Sequence, residues 1–507
     1  MDLKELKEKL ESVSTELKSK VPEEARVLVE SLIMMFDVLL SQNEKLNDTL
    51  KDLQETIKEL RRQLGQNSKN SSKPPSTDGF KRNRSLRKKS GLKAGGQKGH
   101  SGAHMELPHE PDERRQHLPA KCKTCPHLAE CLASNKVFTC GESRFVVEPV
   151  ITTKVIEHQI IKVTCCPCGE KSELKGEFPS EIKARIQYGK GMTVLAGILS
   201  TFGAVSIERI RMLINGLMNV KISSGTISSM IERCAKKTKP MMEQIKELLS
   251  QSQVVNFDET GLNTEGKLYW AHSSSNEQYT YQTVSQKRGS DGMNENGVIS
   301  SFNGIAVHDC WTPYWKYEDV THAICCAHLL RELNGIKELE PKMTWPKKFS
   351  KLLLEMKQAQ EVAKENNKKA LETDQIEAFY QKYDEIMAIA ENESPPPEPN
   401  PEKKRGRKKR GKARALIERL IKFKDAVCLF IKNFKVPFDN NQAERDVRNV
   451  KTKSKVSGCF RTFKGAQNYL TIMSYLSTAR KNGVDAFTAL TAAFNGHAEI
   501  ILGQGSE

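Results

Sequence analysis

The chain has 507 residues, with 80 lysines and arginines against 63 acidic residues and a formal net charge of +17. Single hydrophobic cores rarely grow past ~250 to 300 residues, so several structural units are expected, and the excess positive charge calls for a polyanionic partner, nucleic acid first and an anionic membrane surface second. No apolar run approaches the ~18 to 20 residues that span a bilayer, and the start Met1-Asp2-Leu3-Lys4-Glu5 has no signal-peptide order; the expectation is a cytoplasmic protein with no membrane partner, whose 13 cysteines, several in C-x-x-C pairs, serve metal rather than disulfides.

Residues 1–66 read as an N-terminal helix and a leucine-zipper-like coiled coil. Leu32, Leu39, Leu46, Leu53 and Leu60 fall on one seam position of a seven-residue repeat, and Val29, Phe36, Asn43, Leu50, Ile57 and Leu64 on the other. A lone seam asparagine, here Asn43, fixes two parallel strands in register, so a homodimer is expected; the alternative is a helix packed on its own domain. Residues 67–115 hold too few large apolar residues to bury a core and read as a flexible basic linker. Its cations, Lys88 and Lys89 among them, suit a phosphate backbone or a minor groove, against a solvated linker with no partner.

Residues 116–180 read as a zinc-binding module. Cys122-x-x-Cys125 and Cys165-x-x-Cys168 can supply four thiolates in a tetrahedron, flanked by strand-like runs at 144–150 and 154–163. Cys131, Cys140 and Cys166 leave the ligand choice open, as does the reading of unligated buried cysteines. Residues 181–250 are helical, with Met192, Leu195, Leu199, Ile207, Ile210, Leu213 and Ile214 spaced as core faces. The stretch from Val220 to Ile231 reads as a turn, a serine N-cap and a short helix, as in a helix-turn-helix DNA-binding domain; an ordinary helical linker domain is the alternative.

Residues 251–505 carry the candidate chemistry. Val254-Val255-Asn256-Phe257-Asp258 and Ile305-Ala306-Val307-His308-Asp309 are short apolar runs that read as buried strands, each ending on an aspartate. Asn440-Asn441-Gln442-Ala443-Glu444-Arg445 opens a polar helical stretch. Two-residue alternation sets Asn256 and Asp258 on one face and Glu259 on the other, which favours Asp258 as ligand. Further strands are predicted at 268–273, 279–284 and 323–326, with helix from Leu329. Three antiparallel strands followed by parallel ones suit a ribonuclease-H-like core, which uses two acidic strand ends and one acidic helix position to hold a pair of divalent cations. Taken singly, each buried aspartate is as readily a helix cap or an ion-pair partner. Between Asp309 and Glu444 an α-helical insertion is expected at about 341–437, with helices at 347–366 and 373–392 and a basic loop in which Arg405 and Arg407 suit a narrow groove or simple backbone attraction. The fold class is therefore multidomain α/β, a ribonuclease-H-like core with a helical insertion, preceded by a coiled coil, a zinc module and a helical DNA-binding domain.

Taken together, Asn70-Ser71-Ser72-Lys73-Pro74-Pro75-Ser76, Gly95-Gly96-Gln97-Lys98-Gly99-His100, the C-x-x-C pairs, Asp258-Glu259-Thr260, Cys326-Ala327-His328 with Arg331, Asp439 to Arg445 and Ser457-Gly458-Cys459-Phe460-Arg461 resemble the insertion-sequence-66 transposases of bacterial mobile elements. The resemblance implies catalytic Asp258, Asp309 and Glu444, two Mg2+ (or Mn2+) ions per site, and DNA as partner, both element ends and target. Accessory proteins of the same element and a nucleoid-associated location follow from it too. Cys310 departs from the family pattern, which has glycine after the second aspartate. Arg445 and Arg448, one helical turn apart, are candidates for flanking phosphates, or for surface ion pairs with Glu444 or Asp446. His328 is read either as positioning DNA or a carboxylate, or as a buried structural histidine. A non-catalytic DNA-binding regulator or decayed element protein is the competing function, and three intact carboxylates argue against it.

Overall fold

The computed structural model describes residues 22–67, 70, 110–115, 117, 120–133, 144–147, 151–163, 174–396 and 411–503. Lys88, Lys89, Cys165, Cys168, Arg405 and Arg407 lie outside them. The first helix, α1 (Glu23–Leu64), runs 42 residues without a break. Its seam leucines Leu32, Leu39, Leu46, Leu53 and Leu60 are all exposed, as is Asn43, whose amide oxygen accepts a hydrogen bond from Asn47. Two short helices, α2 (Ala120–Lys123) and α3 (Leu128–Ala133), bracket a tight turn in which the Cys125 N–H donates to the Cys122 carbonyl at 3.2 Å.

Among the described residues, the runs expected as strands around 144–163 form a ladder only at β1 (Lys162–Val163), antiparallel to β2 (Leu174–Lys175). Residues 144–147 and 151–161 have strand-like side chains but no regular structure, and Val146 and Val155 stay exposed. Alternation predicts a strand only where a second strand and a packed face exist to receive it.

Four helices precede the main sheet: α4 (Lys190–Ser200), α5 (Ile207–Met218), α6 (Ser224–Thr238) and α7 (Pro240–Ser250). The expected serine cap is present, Ser223 Oγ accepting the Thr226 N–H at 3.1 Å, but the helix it opens runs 15 residues. α5 ends on Asn219 in the left-handed conformation, which gives the turn its direction.

The sheet has five strands in the order β5-β4-β3-β6-β7: β3 (Val254–Thr264), β4 (Lys267–Ser275), β5 (Thr280–Ser285), β6 (Ile305–His308) and β7 (Thr321–Ile324). The first three form an antiparallel meander; β6 and β7 run parallel to β3. β3 continues six residues past Asp258 because Glu265 and Gly266, both at positive φ, make a two-residue hairpin turn whose twist matches its strands. That turn fixes the register that sets Asp258 opposite Ser273. A helix between β5 and β6, α8 (Ser290–Asn296), caps one edge. β7 ends two residues earlier than expected, and α9 (Cys326–Leu339) begins three residues before Leu329 with Cys325 as N-cap.

The helical insertion consists of α10 (Trp345–Glu365), α11 (Thr373–Glu393), α12 (Lys412–Lys422) and α13 (Lys424–Lys432). It builds one core with β6, β7 and α9 through Trp345, Phe349, Tyr383 and Phe430. The chain then closes with α14 (Asn441–Ser457), α15 (Phe463–Lys481) and α16 (Ala486–Asn495). A second core joins β3 to α4, α6, α7, α15 and α16 through Phe257, Val194, Cys234, Met242, Tyr475 and Leu490. The central strand is covered on both faces, which accounts for its almost unbroken burial. Among the described residues no helix is long and apolar enough to cross a membrane.

One buried ion pair locks α14 to α15 and β5. Lys481 Nζ lies 2.8 Å from Asp446 Oδ2 and also reaches Thr280 Oγ1 and the carbonyls of Asn276 and Tyr279. Both side chains are almost wholly out of solvent, so truncating one strands the other's charge. Lys481→Met is expected to cost about 3–5 kcal/mol in urea unfolding, with partial recovery in the Lys481→Met/Asp446→Asn double variant. A loss under ~1 kcal/mol would place the pair in the screened, surface class instead.

Candidate active site

The parallel pairing of β3 with β6 builds the site. Asn256 is in register with Val307, so two residues further along the same two chains Asp258 lies beside Asp309. Asp258 Oδ1 accepts the Glu259 N–H at 2.9 Å, and Asp309 Oδ1 accepts the Trp311 N–H at 3.0 Å. Glu444 enters from the first turn of α14. Burial, then the charges of Glu259, Asp309 and Glu444, push the Asp258 carboxyl well above the usual carboxylate range, with only His328 pulling the other way. The structure thus brings the three sequence-predicted carboxylates into one electrostatic neighbourhood.

The opposite face of β3 shows what Glu259 does. Its Oε1 takes two hydrogen bonds from Arg288, at 2.9 and 3.1 Å, and its Oε2 takes one from the Tyr314 hydroxyl at 2.9 Å. The Arg288 guanidinium lies over the rings of Trp270 and Trp311, at 4.7 and 4.1 Å from their centroids. Burial and Asp309 still raise the Glu259 carboxyl to about 7 against the pull of Arg288 and Tyr314. Both oxygens of Glu259 are therefore committed.

Asn440, just before α14, ties the elements together. Its side-chain Nδ2 donates to the Phe257 carbonyl and its Oδ1 accepts from Asn256 Nδ2, each at 2.8 Å. Its backbone N–H donates to Cys325 Sγ at 3.1 Å, and its carbonyl accepts the Glu444 N–H at 3.1 Å. The helix carrying Glu444 is therefore pinned both to the strand carrying Asp258 and to the start of α9.

Sequence reasoning missed the group at that start. His328 Nδ1 is 3.2 Å from Cys325 Sγ and 3.7 Å from Glu444 Oε1, and Arg331 lies 3.5 Å from the same oxygen. Burial opposes a charge on His328, but Cys325 and Glu444 outweigh it and lift the imidazole to about 10. Nδ1 of His328 thus faces both a thiol and a carboxylate. Cys326-Ala327-His328 and Arg331 were visible as a motif; the thiol that matters, Cys325, sits one residue ahead of it.

Arg445 and Arg448 are exposed on α14. Arg445 donates to Gln442, while Glu444 and Asp446, the ion-pair partners considered for them, are engaged by Arg331 and Lys481.

The residue after Asp309 explains the departure from glycine as a conformational matter. Cys310 has φ of 68°, the left-handed region that disfavours any Cβ. Relief of that strain is worth about 1–2 kcal/mol, so Cys310→Gly is expected to match or exceed wild type in thermal stability despite losing a small buried side chain. Cys310→Val, β-branched at positive φ, should fall below it; equal melting points for the valine variant and wild type would remove the strain argument.

Behind Asp309 the Cys310 N–H donates to His308 Nδ1 at 3.1 Å, leaving the His308 Nε2–H for His322 Nδ1 at 3.0 Å and the His322 Nε2–H for the Tyr317 carbonyl at 3.1 Å. The chain works only with both rings neutral, and burial holds both below the ordinary histidine value. Their folded-state affinity for protons is lower than the unfolded chain's, so their contribution to stability is present above pH ~6.5 and is lost as pH falls below it. The melting temperature of wild type should drop more between pH 7 and pH 5 than that of His322→Gln; parallel profiles would sink this assignment.

A family model described as the transposase IS66 family matches residues 188–468, more than half of the chain and all of the five-stranded sheet. This chain belongs to that family. A second model, of a family of unknown function, matches residues 13–106. No curated protein matches the chain.

Proposed function

We propose that this chain is a DDE transposase that binds the terminal inverted repeats of its element, cleaves DNA strands and joins their 3′ ends to target DNA. What carries the reading is the Asp258–Asp309 register in a chain of a transposase family, with Glu444 close enough to shift the charge of Asp258. The sheet order, antiparallel meander followed by two parallel strands, supports a ribonuclease-H-like core.

The residues fit a hard divalent cation. A buried carboxyl pushed upward by three acidic neighbours lacks positive charge, and its oxygen donors are those that Mg2+ and Mn2+ take. Asp258 and Asp309 would hold one ion, Asp258 and Glu444 a second; bound, the pair supplies Lewis acidity at the attacking and leaving oxygens of an in-line phosphoryl displacement. The protein's own part is positional. Asn440 sets the spacing between the β3 and α14 carboxylates, Glu259 and Arg288 brace the back of β3, and Arg331 orients Glu444. Exposed Arg445 and Arg448 would meet backbone phosphates beside the scissile bond. The exposed α1 seam would pair with a second copy, with Asn43 setting register. Cys122 and Cys125 would contribute half of a structural zinc site.

The test is Mg2+-dependent 3′-end cleavage and strand transfer on DNA carrying the element's own ends. Asp258→Asn and Glu444→Gln should retain binding and lose cleavage by about 10³-fold or more. In the absence of metal, Asp258→Asn should also melt higher than wild type, because it removes a buried like charge, and Mg2+ should raise the melting point of wild type alone. Binding without cleavage by wild type, with the element's other proteins added, would favour the non-catalytic regulator.

A further inference from the structure

We propose that Cys325, His328 and Glu444 form a site for a thiophilic divalent cation of the zinc class, distinct from the oxygen-lined Asp258–Asp309 position. Sγ, an imidazole nitrogen and a carboxylate oxygen from these residues lie within 4.8 Å of one another, the one such trio among the described residues. Zinc bonds of about 2.3 Å to sulfur and about 2.0–2.1 Å to nitrogen and oxygen imply tetrahedral edges of about 3.3–3.6 Å. Two of the three edges are 3.2 Å from sulfur to Nδ1 and 3.7 Å from Nδ1 to Oε1, and the third, from sulfur to a carboxylate oxygen, is within 4.8 Å. A cation therefore fits the opening with small side-chain adjustments.

The local fold favours a thiophilic ion over Mg2+. Cys325 is completely buried and accepts the Asn440 N–H, which holds its sulfur in place. Cys325 and His328 are three residues apart at the first turn of α9, so both point to one side, and Glu444 arrives from another helix. Three protein ligands leave a fourth position, and the partial exposure of His328 and Glu444 supplies an entry path. Binding releases the Nδ1 proton of His328 and the Cys325 thiol proton to solvent, and Arg331, which lies 3.3 Å from His328 Nε2 and is partly exposed, turns toward solvent to leave the Nε2–H unopposed.

The site follows from this geometry alone. Its consequence rests on the proposed catalytic role of Glu444: an ion held here takes the carboxylate away from Asp258, so zinc would inhibit the Mg2+-supported reaction.

The experiment is a Co2+ titration of the full chain, read by the sulfur-to-cobalt charge-transfer band and by stoichiometry, in wild type, Cys325→Ser, His328→Gln and Glu444→Gln, each checked for folding by circular dichroism. Cysteines elsewhere, such as Cys122 and Cys125, contribute equally to all four proteins, so the differences isolate the site. Cys325→Ser is expected to lose one equivalent and its share of the band, and His328→Gln and Glu444→Gln to weaken that equivalent by about 10- to 100-fold or more. If Cys325→Ser fails to fold, the other two variants carry the same test. Folded variants that bind as much Co2+ as wild type, with the same band and affinity, overturn the proposal. Zn2+ should then slow cleavage by wild type more than by Cys325→Ser, each measured against its own zinc-free rate. Absence of cleavage in every protein would count against the transposase reading and leave the cobalt result standing.

Discussion

The side chain of Asn440 is the junction on which the site depends. A carboxamide can donate and accept at once, and here it does both against β3 while its backbone serves Cys325 and Glu444. No apolar contact could fix three elements at such definite distances, because dispersion has no direction. An aspartate in its place would lose the donor to Phe257 and add another negative charge to a crowded neighbourhood. The amide joins strand, helix and helix without altering the charge around Asp258.

Charge is the quantity this region has to manage. Four carboxylates meet around one strand pair, and the fold treats them differently. Glu259 is neutralised in place by Arg288, itself held between two tryptophans that limit its freedom. Glu444 has Arg331 and His328 within reach. Asp258 has no cation in contact, only the field of His328, and its carboxyl is pushed upward by burial and by three acidic neighbours. The local instability is concentrated where a cation from solution can relieve it, which separates a structural acid from one kept available.

Much of this was legible in the chain. The apolar β-branched runs before Asp258 and Asp309 identify strands, and the two-residue period of the first puts Asp258 and Glu259 on opposite faces. The first two helices of the insertion are also plain, since long amphipathic repeats leave little choice, whereas α12 and α13 are not among those expected. What stayed hidden depends on distant partners. Nothing near Cys325 announces that Asn440 and Glu444 will face it, and Lys481 looks like any helix-end lysine until Asp446 is set against it. The short turn at Glu265-Gly266 lacks the usual asparagine or aspartate, so the length of β3 was underestimated. Conversely, Val146 and Val155 have strand character that no strand among the described residues receives.

The Cys326 N–H donates to the Phe438 carbonyl at 3.0 Å. The chain therefore leaves the sheet at Cys326 and returns to the same spot more than a hundred residues later, so the intervening helices form a closed detour whose two ends meet at one root and whose inner side packs on β6, β7 and α9. Lengthening, trimming or exchanging the far part of that detour need not move the root, and Glu444 follows only a few residues beyond it. The far part of the insertion can thus be remodelled while the spacing of the carboxylates stays as it is.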